Sequence, residues 1–226
     1  MGDWGLYIVL LVPTLALGLG IQWWLRRTFE RFSNVELVSG LTGADVARQI
    51  LDRNGLEDVP VDRSQGGPLS DNYDPRKREL HLSPPVYEPR TVSAAAVAAH
   101  ESGHALQQAS GYAALRLRSA MFPVVAIAST TWIWILLAGV ILNALGLITI
   151  AILIYAVAVL FHIVTLPVEF NASRRAGQQL RTLGLVTTEE SAGVQKVLTA
   201  AALTYVAGAL AALTQLLYFV LAYLRD

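Results

Sequence analysis

The chain has 226 residues, 54% of them hydrophobic and only 15% charged, with a mean hydropathy of +0.48. Soluble domains average roughly 45–50% apolar and about 25% charged, so a wholly water-soluble protein does not fit this composition. The formal net charge is zero, which gives no reason to expect a nucleic-acid partner. The absence of cysteine excludes disulfides and thiolate ligands, leaving His, Asp and Glu to build any transition-metal site.

The first apolar run, Gly5–Leu25, carries no charge and is long enough for a bilayer core of about 30 Å. Trp23 and Trp24 close it and Arg26 and Arg27 follow, as expected at a membrane interface. A cleaved signal peptide would need a basic flank, and the chain begins with Asp3 and no Lys or Arg. Residues 26–118 then read like a soluble insert. Within it "TGADVARQILDRNG" (Thr42–Gly55) predicts an amphipathic helix closed by glycine. "VPVDRS" and "RELHLS" alternate as short strands do, with Gly66, Gly67 and Pro68 turning between them. A further helix opens at Arg90-Thr91 and runs to about Ser110.

The tract Met121–Thr165 is too long for one crossing, and "NALG" (Asn143–Gly146) is its turn signal. It divides into spans at 121–142 and 147–168, the latter running into 169–181. Thr187 with Glu190 fits a capping box that starts a helix leading into a fourth span, near Leu198–Leu224. The expected architecture is therefore a mainly α, multi-pass membrane protein of about four transmembrane helices with a small α+β insert. Four spans put the insert and the loop after the third span on one side, with Arg26, Arg27, Arg31, Arg116, Arg118, Arg174, Arg175, Arg181 and Lys196. The other side has Arg225 and the amino terminus, so the positive-inside rule places the insert in the cytoplasm.

Chemistry concentrates in "AAVAAHESGHALQQ" (Ala95–Gln108), which contains His-Glu-x-x-His. On a helix His100 and His104 share a face and can point at one ion. Glu101 lies one residue round, where its carboxylate can reach a water instead of the metal. Two imidazoles, a base and an open coordination position are what zinc-assisted hydrolysis requires. A third ligand must come from elsewhere, with His81, His162 and Glu169 as candidates. Glu169, in "TLPVEFNASRRA" at the end of the third span, stands out because a carboxylate at a membrane boundary is costly. Its alternative is an ion pair with Arg174 or Arg175. His162 shares its helical face but lies about 10 Å deeper, two turns at 1.5 Å per residue.

"GLTGADVARQIL", "LSDNYDPRKRELHLSP", "VAAHESGHALQQASGYAALRLRSA" and "LPVEFNASRRA", in that order, resemble the YugP-type neutral zinc metallopeptidases of bacterial membranes. A more distant similarity is to HtpX-type membrane metalloproteases. The resemblance implies a zincin-like catalytic insert in a bacterial plasma-membrane protein, acting on protein or peptide substrates. It implies His100 and His104 as zinc ligands, Glu169 as the third ligand and Glu101 as the general base. Asn72 departs from the Asp-His-Tyr-Asp-Pro form more common in that family. Tyr73, His81, Arg174 and Arg175 are candidates for stabilising the oxyanion. "RELHLS" is a candidate edge strand for binding substrate backbone.

Two other readings compete. An intramembrane site is opposed by the short apolar run Ala94–Ala99, closely flanked by Glu88, Arg90 and Arg116. A transporter or non-enzymatic metal-binding scaffold should carry polar residues along a path, and the spans offer Gln22, Asn143, His162 and Gln215.

Overall fold

The computed structural model describes residues 3–67 and 70–224, so Arg225 and Pro68 lie outside the described residues. The described chain is mainly helical. Four helices are long and apolar enough to cross a membrane: α1 (Asp3–Ser33), α5 (Ala113–Ile141), α6 (Leu145–Thr182) and α7 (Thr188–Tyr223). Between α1 and α5 lie α2 (Gly43–Asp52), β1 (Val61–Arg63), β2 (Asn72–Asp74), β3 (Glu79–Leu82), α3 (Pro84–Tyr87) and α4 (Val92–Ala109).

Local chemistry explains the boundaries. Thr42 and Asp45 form a capping box that starts α2, and Gly55 takes φ +71° just beyond its end. Thr91 accepts a hydrogen bond from the Ala94 amide and so caps α4. Thr187 and Glu190 cap α7 in the same reciprocal way. Asn143 adopts φ 50° between α5 and α6, a left-handed turn that asparagine tolerates better than most residues. The hairpin made there packs α5 along α6, while α7 packs against both α6 and α1.

The sheet differs from the expected pair of strands. Its order is β1-β3-β2, with β1 parallel and β2 antiparallel to β3. "RELHLS" is therefore the central strand, with its backbone committed on both sides: an ordinary sheet strand and not the edge that the sequence equally allowed. Strand β2 escapes the alternation signal because Tyr73 is its one apolar residue, between Asn72 and Asp74.

The core of the insert joins α2, β3, α3 and α4 to the end of α6 and the start of α7. Ile50, Leu51, Leu80, Leu82, Val86, Leu180 and Leu198 are fully buried together. Each such side chain contributes about 1.5–3 kcal/mol relative to exposure. The insert is thus fixed to the ends of the spans rather than tethered to them. Deeper, Trp132, Tyr155 and Phe219 form an aromatic cluster that joins α5, α6 and α7. Elsewhere the spans present apolar side chains outward, including Ile127, Trp134, Ile141 and Leu153, as lipid contact requires.

Candidate metal centre

Helix α4 packs directly on α6, and Gly103 is the point of closest approach. A Cβ added at Gly103 would lie 2.6 Å from the carbonyl oxygen of Ala172. Glycine inside the His-Glu-x-x-His segment therefore lets two backbones meet, bringing the face that carries His100 and His104 against the turn that carries Glu169.

The three residues converge. His100 Nε2 is 3.2 Å and His104 Nε2 3.6 Å from Glu169 Oε2, and the imidazole centroids are 4.9 Å apart, edge to face. One potential ligand atom from each residue lies within 4.8 Å of the others, so together they could hold a metal ion. Arg118 of α5 stands on the far side of the carboxylate. Its NH1 is 3.0 Å from Glu169 Oε1, an ion pair without an aligned hydrogen bond.

The surrounding hydrogen bonds suit metal-ligating imidazoles. Gln107 is fully buried and donates from Nε2 to the Val168 carbonyl at 2.7 Å and to Asn171 Oδ1 at 3.0 Å. Those two acceptors fix the orientation of its amide, so Oε1 faces His104 Nδ1 at 3.0 Å and must accept from it. His104 then keeps its proton on Nδ1 and presents a lone pair on Nε2, towards Glu169. Ser173 Oγ stands 3.2 Å from His100 Nδ1 and can play the same part. Such outer contacts fix the tautomer and ring orientation of metal-bound histidines. The donor set, two imidazoles and one carboxylate, fits zinc.

A cavity of about 430 Å³ opens beside these groups, lined by Glu101, His104, Glu169, Arg118 and Tyr205, with β2 and the following turn on its other wall. Burial pushes the Glu101 carboxyl up to about 7; the neighbouring His100 opposes that shift and the Glu169 charge adds to it.

The other sequence candidates divide. Tyr73 lines the cavity, but its hydroxyl donates to Gln108 Oε1 at 2.9 Å. His81 stands on the central strand, 3.4 Å from Glu79, and is not among the cavity's lining residues. Arg174 and Arg175 are also outside it; they line a separate cleft with Leu106 and Ser110. The physical reason is helical phase. Five and six residues past Glu169 correspond to about 140° and 240° of rotation, away from the direction in which Glu169 points. The partner of Glu169 is accordingly Arg118 and neither of these arginines. His162 does share the Glu169 face but sits deeper, 3.8 Å from where a Gly208 Cβ would be. Sequence reasoning missed Arg118 as a partner, and missed Gln107 and Tyr205 altogether. No spacing signal marks contacts made between separate helices.

Comparison with known proteins agrees with this geometry. A family profile described as "Putative neutral zinc metallopeptidase" matches residues 7–224. The chain is 49% identical over 220 residues, 97% of each chain, to "Putative membrane protease YugP" of Bacillus subtilis (strain 168). No solved structure matches. A match across nearly the whole chain, on residues that build a two-histidine, one-carboxylate centre, shows that this protein belongs to the neutral zinc metallopeptidase family.

Proposed function

We propose that the protein is a zinc-dependent endopeptidase of the bacterial plasma membrane, with its catalytic face in the cytoplasm. The observation that carries this reading is the convergence of His100, His104 and Glu169 beside a buried carboxyl group, Glu101, at one cavity. Zinc, when bound, would act as a Lewis acid towards a water and the scissile carbonyl.

Glu101 is the proton carrier. Burial raises this carboxyl group above the ordinary carboxylate range, which suits it to take a proton from the attacking water and hand it to the leaving amine. Arg118 holds the Glu169 carboxylate from its outer oxygen and neutralises charge in the site. Tyr205 enters the cavity from α7 beside Glu169 and is a further candidate to donate to the developing oxyanion. Strand β2, an edge of the sheet that borders the cavity, is the backbone against which an extended substrate can pair. Membrane-spanning α5, α6 and α7 supply the rest of the lining, which suits substrates presented at the membrane surface.

The test is Glu101→Gln in the purified full-length protein, with zinc measured by elemental analysis and cleavage followed on casein and on a membrane protein. The amide preserves size but cannot accept the proton. Zinc should stay at the wild-type level while cleavage falls by roughly 10²–10⁴-fold. Cleavage within about tenfold of wild type would exclude Glu101 as the base.

A further inference from the structure

Arg174 and Arg175 line a cleft of about 470 Å³ between the end of α4 and α6, separate from the candidate metal centre. No carboxylate lines it; its polar groups come from Asn54, Ser110, Asn171, Gln178 and Gln179 besides the two arginines. Neither Arg174 nor Arg175 has an acidic partner among the described residues. Arg175 donates from Nε to Asn171 Oδ1 at 2.9 Å and from NH1 to the Leu106 carbonyl at 3.4 Å, both uncharged oxygens. A guanidinium has five N–H donors, so three remain on Arg175. Arg174 is exposed and has no hydrogen-bond partner among the described residues. Two guanidinium groups lining one polar cleft that has no carboxylate in its wall supply the charge and the donors that a phosphate group takes.

The position favours such a ligand. Arg174 and Arg175 lie about 12–14 Å along α6 past Leu166, and long arginine side chains reach back towards a headgroup layer. The cleft also touches the support of the metal centre. Asn171 Oδ1, which accepts from Arg175, also accepts from Gln107 Nε2, and Gln107 Oε1 accepts from His104 Nδ1. We propose that this cleft binds a phosphate-bearing anion through Arg174 and Arg175, and that Asn171 and Gln107 relay its occupancy to His104. An anion on Arg175 fixes the side chain that holds Asn171, which in turn holds the Gln107 amide in the orientation His104 requires.

The experiment uses the full-length protein in detergent, stripped of lipid and metal so that no anion can bind at a zinc ion. Thermal midpoints are followed during titration with inorganic phosphate, short-chain phosphatidylglycerol and short-chain phosphatidylcholine. A saturable rise is expected, with apparent affinity weakened about tenfold or more in Arg174→Gln and in Arg175→Gln, and unchanged in Lys196→Gln. Arg175→Lys, which keeps the charge, should retain part of the binding and guards against a folding defect. A response to phosphate itself identifies a soluble ligand; a response to phosphatidylglycerol alone identifies a lipid headgroup. No shift with either, or wild-type affinity in both glutamine variants, overturns the site. In the zinc-loaded protein, saturating anion should slow zinc loss to a chelator several-fold, and Asn171→Leu should abolish that effect while the anion still binds. Zinc loss at the same rate with and without anion overturns the relay.

Discussion

Glu169 is a carboxylate with 1% of its surface exposed, and such a group persists in a protein only when positive charge is matched to it. Arg118 takes one oxygen and the imidazole pair faces the other. Replacing Glu169 by Ala leaves two imidazole ligands and an arginine without its partner. Zinc retention, measured by elemental analysis after dialysis against a weak chelator, should fall at least about tenfold. Full occupancy in that variant would remove Glu169 from the ligand set. Glu101 makes a second, independent prediction, in the metal-stripped protein. Burial raises its folded-state value from the ordinary 4.5 to about 7. The folded protein therefore holds this proton more tightly than the unfolded chain does. The resulting stability is fully present below about 4.5 and is lost as pH rises through about 7. At 1.36 kcal/mol per pKa unit the loss is on the order of 3 kcal/mol. Denaturant unfolding of wild type and Glu101→Gln should show curves that diverge with rising pH, the glutamine variant gaining. Parallel curves between pH 4.5 and 7.5 would contradict the burial of this carboxyl group.

At the scale of elements, the centre depends on one contact between α4 and α6. Gly103→Ala places a methyl group 2.6 Å from the Ala172 carbonyl oxygen and 3.3 Å from its Cα, and backbone atoms cannot swing aside. The helices must separate, at a cost of about 1–3 kcal/mol for an overpacked interface. His100 and His104 then move away from Glu169, so zinc affinity in a chelator competition should fall about tenfold or more. Gly146→Ala is the control, since nothing lies within 4 Å of its added Cβ. Equal zinc affinity in the two variants would show that the close approach is not what assembles the site. The same contact explains what the sequence could and could not reveal. The spacing of His100 and His104 is local to one helix, so it was legible without a structure. The four apolar helices and the Thr187–Glu190 cap were legible for the same reason, because each signal lies within a single segment. Glu169 was visible as a carboxylate at the end of an apolar run. Arg118, Gln107 and Asn171 act across helices, and no periodicity predicts which faces meet. Strand β2 was missed similarly: the two strands legible in the sequence, β1 and β3, are neighbours in the sheet, and β2, between them in the chain, adds on the far side of β3.

For the whole molecule, the geometry constrains the path through the bilayer. His100 and His104 precede α5, and Glu169 lies in the half of α6 beyond the α5–α6 turn, so the site forms only if the chain crosses and returns between them. The turn at Asn143 therefore belongs on the face opposite the insert. Thr149, near the start of α6, accepts or donates a 3.0 Å hydrogen bond with Tyr223 at the end of α7, which places the carboxyl-terminal end of α7 on that same far face. The proposed cytoplasmic placement of the insert rests on charge: eight arginines and one lysine border the spans on the insert side, and Lys and Arg near span ends resist translocation. The chain has no cysteine, so a single introduced thiol reports its own side without background. Gln65 is an exposed residue of the insert, and Leu142 is exposed at the end of α5. In intact cells an impermeant maleimide should label Leu142→Cys and spare Gln65→Cys until the membrane is opened. The reverse pattern would put the catalytic face outside and overturn the charge argument while leaving the fold intact. Labelling of both from outside would be more serious, because two crossings between the histidines and Glu169 cannot put the insert and the hairpin turn on one face.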